Sequence, residues 1–281
     1  MSRIAIVSDS AANLPVEYLD RYKIHTVPLI LHLDRATFRD GVDILPHQVY
    51  DRLRTGNSPM VTSAPSIGDF VRLYASLAAS GDDIISIHTS SRLSAIYQAA
   101  RMASEMIDNA HIEIVDSGSA AMGQGFVVLE AARLAAAGAD KEAILRRVAQ
   151  VVARVDIIAT LSDLQYLVRS GRVPAAVGLA GSLLQICPIF RLRNGQAQLL
   201  EIRRTRQSAI QHIVDLVAKE VDDHPVHLAV FHGQSPQEAE HLKDAICRRV
   251  TCVEALISEF TPAMAVHTGP DVLGAAFFTE D

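Results

Sequence analysis

The sequence contains no tryptophan, and its aromatic residues make up only 5% of 281 positions. Proteins that bind single-stranded nucleic acid stack bases on aromatic side chains, so this composition disfavours such a function. Positive charge is also scarce, since 26 Lys and Arg stand against 32 Asp and Glu, for a formal net charge of −6. Without a cationic cluster to neutralise phosphates, a general nucleic-acid binder is excluded.

Long apolar runs and paired cysteine motifs are missing as well. No segment approaches the ~20 uninterrupted apolar residues of a membrane-spanning helix. The short run Ile4–Val7 predicts a strand and not the core of a signal peptide. Cys187, Cys247 and Cys252 are odd in number and form no CxxC pair, so we expect free thiols without a disulfide or zinc site. These features together predict a cytoplasmic protein.

Common catalytic and cofactor motifs are absent. The sequence has no GxxxxGK[ST] phosphate loop, no HExxH zinc motif and no GxSxG nucleophile turn. Gly123 and Gly125 begin a dinucleotide-like GxG, but Val128 occupies the position of the third glycine. We therefore expect no metal, no cofactor and no catalytic residue in this chain.

The first half alternates apolar runs with helical periodicity, which predicts parallel strands joined by helices. The predicted strands are Ile4–Val7, Ile24–Leu33, Ile84–Ile87 and Ile112–Val115. Three of these strands are followed by small hydroxyl residues. The strings are Ser8-Asp9-Ser10 after the first strand, His88-Thr89-Ser90-Ser91 after the third and Asp116-Ser117-Gly118-Ser119 after the fourth. In a parallel sheet these loops converge, either as a binding site or simply as turns and helix caps.

The second half predicts a different sheet. A strand over Val155–Leu161 is followed by a capping box that begins at Ser162, and Asn194-Gly195 favours a hairpin between antiparallel strands. Further strands are predicted at Val226–Phe231, Val253–Ile257 and Leu273–Phe278. The sequence thus predicts an α/β fold with a parallel-sheet, three-layer first domain (residues 1–157) and a mixed-sheet second domain (residues 158–281).

Short strings along the whole chain resemble the DegV family in content and order. They are Ser8-Asp9-Ser10-Ala11-Ala12-Asn13-Leu14-Pro15, Val27-Pro28-Leu29, Asp40-Gly41, Thr62-Ser63-Ala64-Pro65-Ser66, Ser90 to Ala99, Asp116-Ser117, Ser170-Gly171-Arg172, Arg204-Thr205-Arg206 and His267-Thr268-Gly269-Pro270. The resemblance implies a two-domain protein that binds a long-chain fatty acid. Family members of the FakB type present the bound carboxylate to a separate ATP-dependent, dihydroxyacetone-kinase-like fatty acid kinase subunit, which forms an acyl phosphate for phospholipid synthesis.

The resemblance also implies roles for individual residues. Hydroxyl and imidazole groups that would bind the fatty-acid carboxylate are supplied by Thr62, Ser63, Ser90, Ser91 and His267. Headgroup positioning or contact with the kinase partner would involve Arg172, Arg204 and His267. Ser90 and Ser91 precede a predicted helix, Leu93–Asp108, whose N-terminus favours an anion. Burial of each ligand methylene is worth ~0.8 kcal/mol, so a sixteen-carbon chain gains about 10 kcal/mol gross.

Some positions depart from the family pattern, and other functions stay open. Val61, Ala64, Ala95, Ile96 and Asp271 replace more polar or more flexible family residues. The loss of hydroxyls at positions 61 and 96 makes the headgroup region less polar, and Ala95 and Asp271 restrict loops where glycine permits close approach. One alternative is a stand-alone serine hydrolase acting on acyl esters, with Ser91 or Ser94 as nucleophile and His267 as base. Another is a carrier of a different amphipathic anion.

Overall fold

A computed structural model describes residues 3–55, 60–108, 110–161, 163–173 and 186–280. The strands, in chain order, are β1 (Ile4–Asp9), β2 (His25–Val27), β3 (Ile30–Leu33), β4 (Ala36–Arg39), β5 (Met60–Ser63), β6 (Asp83–His88), β7 (Ile112–Asp116), β8 (Asp156–Thr160), β9 (Cys187–Arg193), β10 (Gln196–Arg203), β11 (Val226–His232), β12 (Cys252–Glu259) and β13 (Leu273–Thr279). The helices are α1 (Val16–Tyr22), α2 (Pro46–Thr55), α3 (Ile67–Ala79), α4 (Ile96–Ser104), α5 (Ala121–Ala136), α6 (Lys141–Arg154), α7 (Gln165–Ser170), α8 (Arg206–Val221), α9 (Pro236–Cys247) and α10 (Pro262–Thr268).

The first half forms a parallel sheet in the order β2-β1-β6-β7. The predicted strand Ile24–Leu33 is split into β2 and β3, because Pro28 has no N–H to continue the ladder. β3 instead pairs antiparallel with β4 and β5 in a separate three-stranded sheet. This small sheet was not anticipated by the parallel pattern of the sequence.

The second half forms a six-stranded mixed sheet in the order β10-β9-β8-β13-β11-β12. Its neighbours are antiparallel except for β11 and β12, which run parallel. The predicted hairpin is confirmed between β9 and β10, with positive φ angles of 51° at Asn194 and 70° at Gly195. The α/β class with one parallel and one mixed sheet is therefore confirmed. Ser162, the start of the predicted capping box, lies outside the described residues.

One of the apolar clusters extends from the parallel sheet to the mixed sheet. Ile6 and Ile85 on one side and Phe231 and Phe278 on the other pack into the same cluster, with Phe126 of α5 between them. α5 is buried from Ala121 to Ala132 on every face. The predicted division after residue 157 falls inside β8 and stays a prediction.

A charged network also joins α5 and α6 to the mixed sheet. Arg133 donates to Glu130 at 2.8 Å and to Glu254 at 2.6 Å, and Arg147 pairs with Glu130 at 2.7 Å and Glu280 at 2.6 Å. The His227 ring lies between two of these acids: Nδ1 is 2.6 Å from Glu254 and Nε2 is 2.7 Å from Glu280. These side chains are largely shielded from water, so their pairing fixes how the helices rest on the sheet.

The expectation of free thiols throughout is wrong for two cysteines. Cys247 at the end of α9 and Cys252 at the start of β12 form a disulfide, with their Cα atoms 5.8 Å apart. α9 and β12 are joined by a tight turn, which brings these two positions together. Cys187 is free and buried, as expected. Within the described residues, no helix has the length and apolar character needed to cross a membrane.

Candidate functional site

A cavity of about 280 Å³ lies between the carboxyl edge of the parallel sheet and one face of the mixed sheet. Loops that follow β1, β6 and β7 contribute Ala11, Thr89 and Ala120. β8, β9 and β11 of the mixed sheet form the opposite wall. Most of the lining is apolar, and it includes Leu29, Ile157, Ala159, Leu161, Leu167, Phe190, Leu192, Phe231, Phe260, Met264 and Val272.

A hydrogen-bonded pair of polar side chains interrupts this apolar lining. Thr62 Oγ1, on β5, lies 2.7 Å from Nε2 of His267, on α10. Burial, with a smaller effect of the nearby Arg172 guanidinium, lowers the pKa of His267 to about 4. The imidazole is therefore neutral at physiological pH and can share hydrogen bonds with a hydroxyl and an anionic ligand group.

Two buried side chains of the first half hold α10, and so position His267. Asp40 Oδ1 accepts from the Ala263 amide at 2.8 Å, and its second oxygen accepts from Ser10 Oγ at 2.5 Å. Asn13 Oδ1 accepts from the Thr261 amide at 2.8 Å. Burial raises the pKa of Asp40, against the effect of these hydrogen bonds. The short helix is thus fixed at its beginning by the part of the chain that precedes β5.

Ser94 is a cavity residue that the family resemblance did not assign to carboxylate binding. Its Oγ accepts from the Ile96 amide at 3.3 Å at the start of α4, and its side chain lines the cavity. The sequence named Ser94 only as a possible nucleophile. The helix α4 begins at Ile96, three residues after its predicted start at Leu93. A correct prediction of this start would have pointed to Ser94.

Ser90 and Ser91, both predicted carboxylate donors, do not line the cavity. Ser90 is buried beneath the β9–β10 turn, where a side chain at Gly195 would overlap its hydroxyl. Ser91 is exposed, and its amide donates to Asp116 at 3.1 Å. Because α4 begins at Ile96, neither serine caps this helix. The structure therefore corrects their predicted position at the N-terminus of this helix, and their predicted role toward a carboxylate stays a prediction.

The remaining predicted residues are divided between the cavity and the surface. Ser63 lines the cavity, but its Oγ lies 2.9 Å from His32 Nε2 on the exposed side of β5. Arg172 lines the cavity directly after α7, and Nη1 donates to the Ser170 carbonyl. Arg204 is exposed between β10 and α8 and does not line the cavity.

The three hydroxyl-rich loops do converge, and they satisfy one another. Asp9 Oδ2 accepts from the Thr89 amide at 3.0 Å and from Gln124 Nε2 at 3.0 Å. Asp9 Oδ2 also lies 3.0 Å from His88 Nδ1, and His88 Nε2 lies 2.7 Å from Ser86 Oγ. This aspartate, histidine and serine order resembles a catalytic triad. All three side chains are fully buried, however, so they stabilise the sheet edge.

A possible metal-ligand cluster occurs away from the cavity. Glu130, His227 and Glu254 place ligand atoms within 4.8 Å of one another. Arg133 and Arg147 already pair with these carboxylates, and together they match the charge of the acids. The cluster is best described as an internal salt-bridge network.

Residues 3–280 match the family model of the uncharacterised DegV proteins. The chain belongs to the DegV family. A DegV domain-containing protein from Caldanaerobacter subterraneus is 31% identical over 278 residues, which span 99% of each chain. A fatty-acid-binding DegV protein from Thermus thermophilus has a TM-score of 0.93 at 26% identity, over 99% of this chain and 100% of that one. DegV from Bacillus subtilis, a fatty-acid-binding protein, has a TM-score of 0.88 at 30% identity, over 100% of both chains.

The residues at which this DegV chain departs from the family strings differ in whether they line the cavity. Ala64, Ala95 and Ile96 line the cavity and add to its apolar lining. Val61 is 57% exposed and lies outside it. The Asp271 carbonyl accepts from Arg206 Nη1 at 2.7 Å, which holds the loop where family members have glycine.

Proposed function

We propose that this protein binds a long-chain fatty acid, with its acyl tail in the cavity and its carboxylate at Thr62, Ser94 and His267. The observation that carries this proposal is one cavity with apolar walls and the Thr62–His267 pair. Each buried methylene contributes ~0.8 kcal/mol, so the tail supplies most of the affinity. The two similar solved structures of fatty-acid-binding DegV proteins support the same ligand class.

The headgroup site is suited to an anion although no cation among the described residues contacts Thr62 or His267 directly. A buried carboxylate loses its hydration and must regain hydrogen bonds. The Ser94 hydroxyl can donate one of them, and the hydrogen-bonded Thr62–His267 pair can donate a second. Arg172 lines the same cavity and adds a favourable field.

We further propose that the protein is a non-catalytic subunit that presents the carboxylate to a separate ATP-dependent fatty acid kinase. Arg172, beside His267, and Arg204, exposed on the same half of the chain, are the proposed contacts for that partner. Because such a kinase consumes ATP to make acyl phosphate for phospholipid synthesis, this function places the protein in the cytoplasm. The second half, residues 158–281, would then close over the headgroup.

The alternative of a serine hydrolase has less support from the geometry. A hydrolase histidine needs a carboxylate that orients it. Among the described residues, no carboxylate contacts His267, whose hydrogen-bond partner is the Thr62 hydroxyl. A histidine with a pKa near 4 is also a weak general base at neutral pH. We expect no labelling of the protein by a fluorophosphonate probe.

Native mass spectrometry after mild purification tests the proposed ligand. We expect an added mass that organic extraction identifies as a fatty acid. Ala159→Phe, which fills the cavity from β8, should abolish this mass, whereas Ala36→Phe on exposed β4 should retain it. Circular dichroism of both variants separates loss of binding from loss of folding. A well-folded wild-type protein that neither retains nor binds an acyl chain would contradict the proposal. If the protein instead carries another amphipathic anion, the added mass would identify it.

A further inference from the structure

A second depression adjoins the cavity and is formed by three separate segments. This groove of about 580 Å³ is lined by Arg92, Leu93, Ser170, Gly171, Arg172, Gly195, Gln196, Ala197 and Gln198. Leu93, Ser170, Arg172 and Ala197 line both the groove and the cavity, so the two spaces meet there. A ligand whose head lies beside Arg172 would therefore extend into the groove.

The charge of the groove is unusual for this chain. Arg92 and Arg172 both line it, and no carboxylate does so among the described residues. Other arginines, such as Arg133, Arg147 and Arg206, form ion pairs with glutamates. Within the part of the chain that the structure describes, neither groove arginine has such a partner. Two unpaired guanidinium groups therefore share one groove on a protein of net charge −6.

The groove has fixed walls. The Gly195 amide donates to the Gly118 carbonyl at 2.5 Å, which ties the β9–β10 turn to the loop after β7. A side chain at Gly195 would lie 3.1 Å from Arg92 Cδ, so glycine leaves room for the arginine to cross the turn. On the other wall, the Arg172 amide donates to Ser170 Oγ at 3.2 Å. Arg172 is thus held to Ser170 before any ligand binds, and Gly195 leaves the space that the Arg92 side chain occupies.

We propose that Arg92 and Arg172 form a binding subsite for a phosphate group at the head of the acyl ligand. Planar guanidinium groups bind phosphate oxygens in a bidentate manner, and two of them match a dianion better than a carboxylate. Gln196 and Gln198 line the same groove and can donate further hydrogen bonds from their amides. The subsite rests on the proposed function, because it extends the headgroup end of the fatty-acid cavity. Arg92, which the family resemblance did not assign, is its distinguishing residue.

The test compares two ligands that share a tail and differ in the head. Binding of hexadecylphosphonate and of palmitate to delipidated protein is measured by displacement of a fluorescent fatty acid. We expect Arg92→Gln to reduce affinity for the phosphonate about tenfold, with a much smaller effect on palmitate. Arg172→Gln should also weaken the preference for phosphonate. Arg101→Gln is the matched control, since Arg101 is exposed on α4 and pairs with Glu105. Equal effects of Arg92→Gln on both ligands would overturn the subsite.

A spectroscopic readout checks the same subsite without relying on affinity. The cation of Arg172 contributes to the lowered pKa of His267, so a dianion bound in the groove should raise that pKa. Nuclear magnetic resonance of the His267 ring follows this change during titration with phosphonate or inorganic phosphate. If the pKa of His267 rises with inorganic phosphate but not with the phosphonate, the subsite is assigned to free phosphate. If it rises only with the phosphonate, the subsite is assigned to the ligand head. No response to either overturns the proposal, whereas failure of palmitate to bind the wild type would instead refute the proposed function.

Discussion

Thr62 and His267 are 205 positions apart in the chain, yet their side chains form a 2.7 Å hydrogen bond on the cavity wall. The threonine belongs to a strand of the small antiparallel sheet, and the histidine to a helix that Asp40 and Asn13 hold in place. Because these contacts position both groups, the pair is in place before any ligand enters. Preformed donors lose little conformational entropy when they bind an anion.

Thr62→Val should weaken fatty-acid binding about tenfold, since a hydrogen bond to a charged group contributes about 1.5 to 3 kcal/mol. The valine keeps the shape of the side chain and removes only its hydroxyl. Displacement of a fluorescent fatty acid measures the change. Thr62→Ser, the matched control, should restore most of the affinity. If Thr62→Val binds as tightly as the wild type, the carboxylate is bound elsewhere.

The stability of the unliganded protein should fall as the pH decreases from about 6.5 towards 4. The pKa of His267 is about 4 in the folded chain, against an ordinary value of 6.5, so in this range the unfolded chain binds more protons. Urea unfolding at a series of pH values measures the effect. His267→Gln should flatten the dependence, because it removes the ring that titrates. Identical slopes for the wild type and His267→Gln would contradict this prediction.

The network around His227 should have the opposite dependence on pH. Burial acts to lower its pKa, but hydrogen bonds with Glu254 and Glu280 outweigh burial and raise the pKa above 6.5. Its contribution to stability is therefore complete below about pH 6.5 and is lost as the pH rises through the folded-state pKa. His227→Gln should cost more free energy of unfolding at pH 6 than at pH 9. Denaturant titrations at both pH values decide the matter, and an equal cost at each would count against the prediction.

Glu254, in the same network, predicts a loss of stability in acid in addition to the one from His267. Burial opposes ionisation of Glu254, but Arg133 and His227 bring its pKa down to about 2. The contribution of this carboxylate is present above its unfolded pKa, near 4.5, and disappears as the pH falls towards 2. Glu254→Gln should therefore destabilise the protein at pH 6, and the difference from the wild type should shrink below pH 4. Thermal unfolding across this range provides the measurement.

Gly269→Ala should destabilise the protein more than an ordinary glycine substitution. Gly269 has a φ of 77°, and an added Cβ would overlap the ring of Tyr166. Gly81→Ala is the matched control, because Gly81 has a φ of 80° with open space around it. The free energy of unfolding of the control should fall by about 1 kcal/mol, from backbone strain alone. A similar loss for both variants would show that Tyr166 moves aside without cost.

Arg172→Ala and Arg204→Ala should leave fatty acid bound while reducing its phosphorylation by a kinase partner. Arg204 is exposed away from the cavity, so its removal should not disturb the ligand. Arg249→Ala, at another exposed position of the second half, serves as the control. Extraction of lipid measures retention, and formation of acyl phosphate by the reconstituted system measures turnover. Unchanged turnover in both variants would remove these arginines from partner binding.

Much of the fold could be predicted from local patterns. The alternation of strands and helices and the Asn194-Gly195 turn depend on neighbouring residues, so the sequence carries them directly. The separation of β2 from β3 depends on where the chain pairs after Pro28, which is a tertiary matter. The Cys247–Cys252 disulfide was missed for the same reason, since cysteine spacing alone does not show how α9 meets β12.

Only part of the candidate site could be predicted, because the rest also depends on how distant parts of the chain meet. Thr62, Ser63, Arg172 and His267 line the cavity, and the roles that the family resemblance implies for them stay predictions. Ser90 and Ser91 do not line the cavity, and Ser94 does, because α4 begins three residues later than its predicted start at Leu93. The groove at Arg92 could not be predicted at all. It depends on the β9–β10 turn reaching the loop after β7, a contact between distant parts of the chain.

The burial of α5 has a consequence for how this protein exchanges hydrogen with heavy water. Every face of Ala121–Ala132 is covered, so its amides can reach the solvent only when both sheets separate from it. Deuterium uptake in this helix would therefore report opening of the whole molecule, while uptake elsewhere would include local fraying.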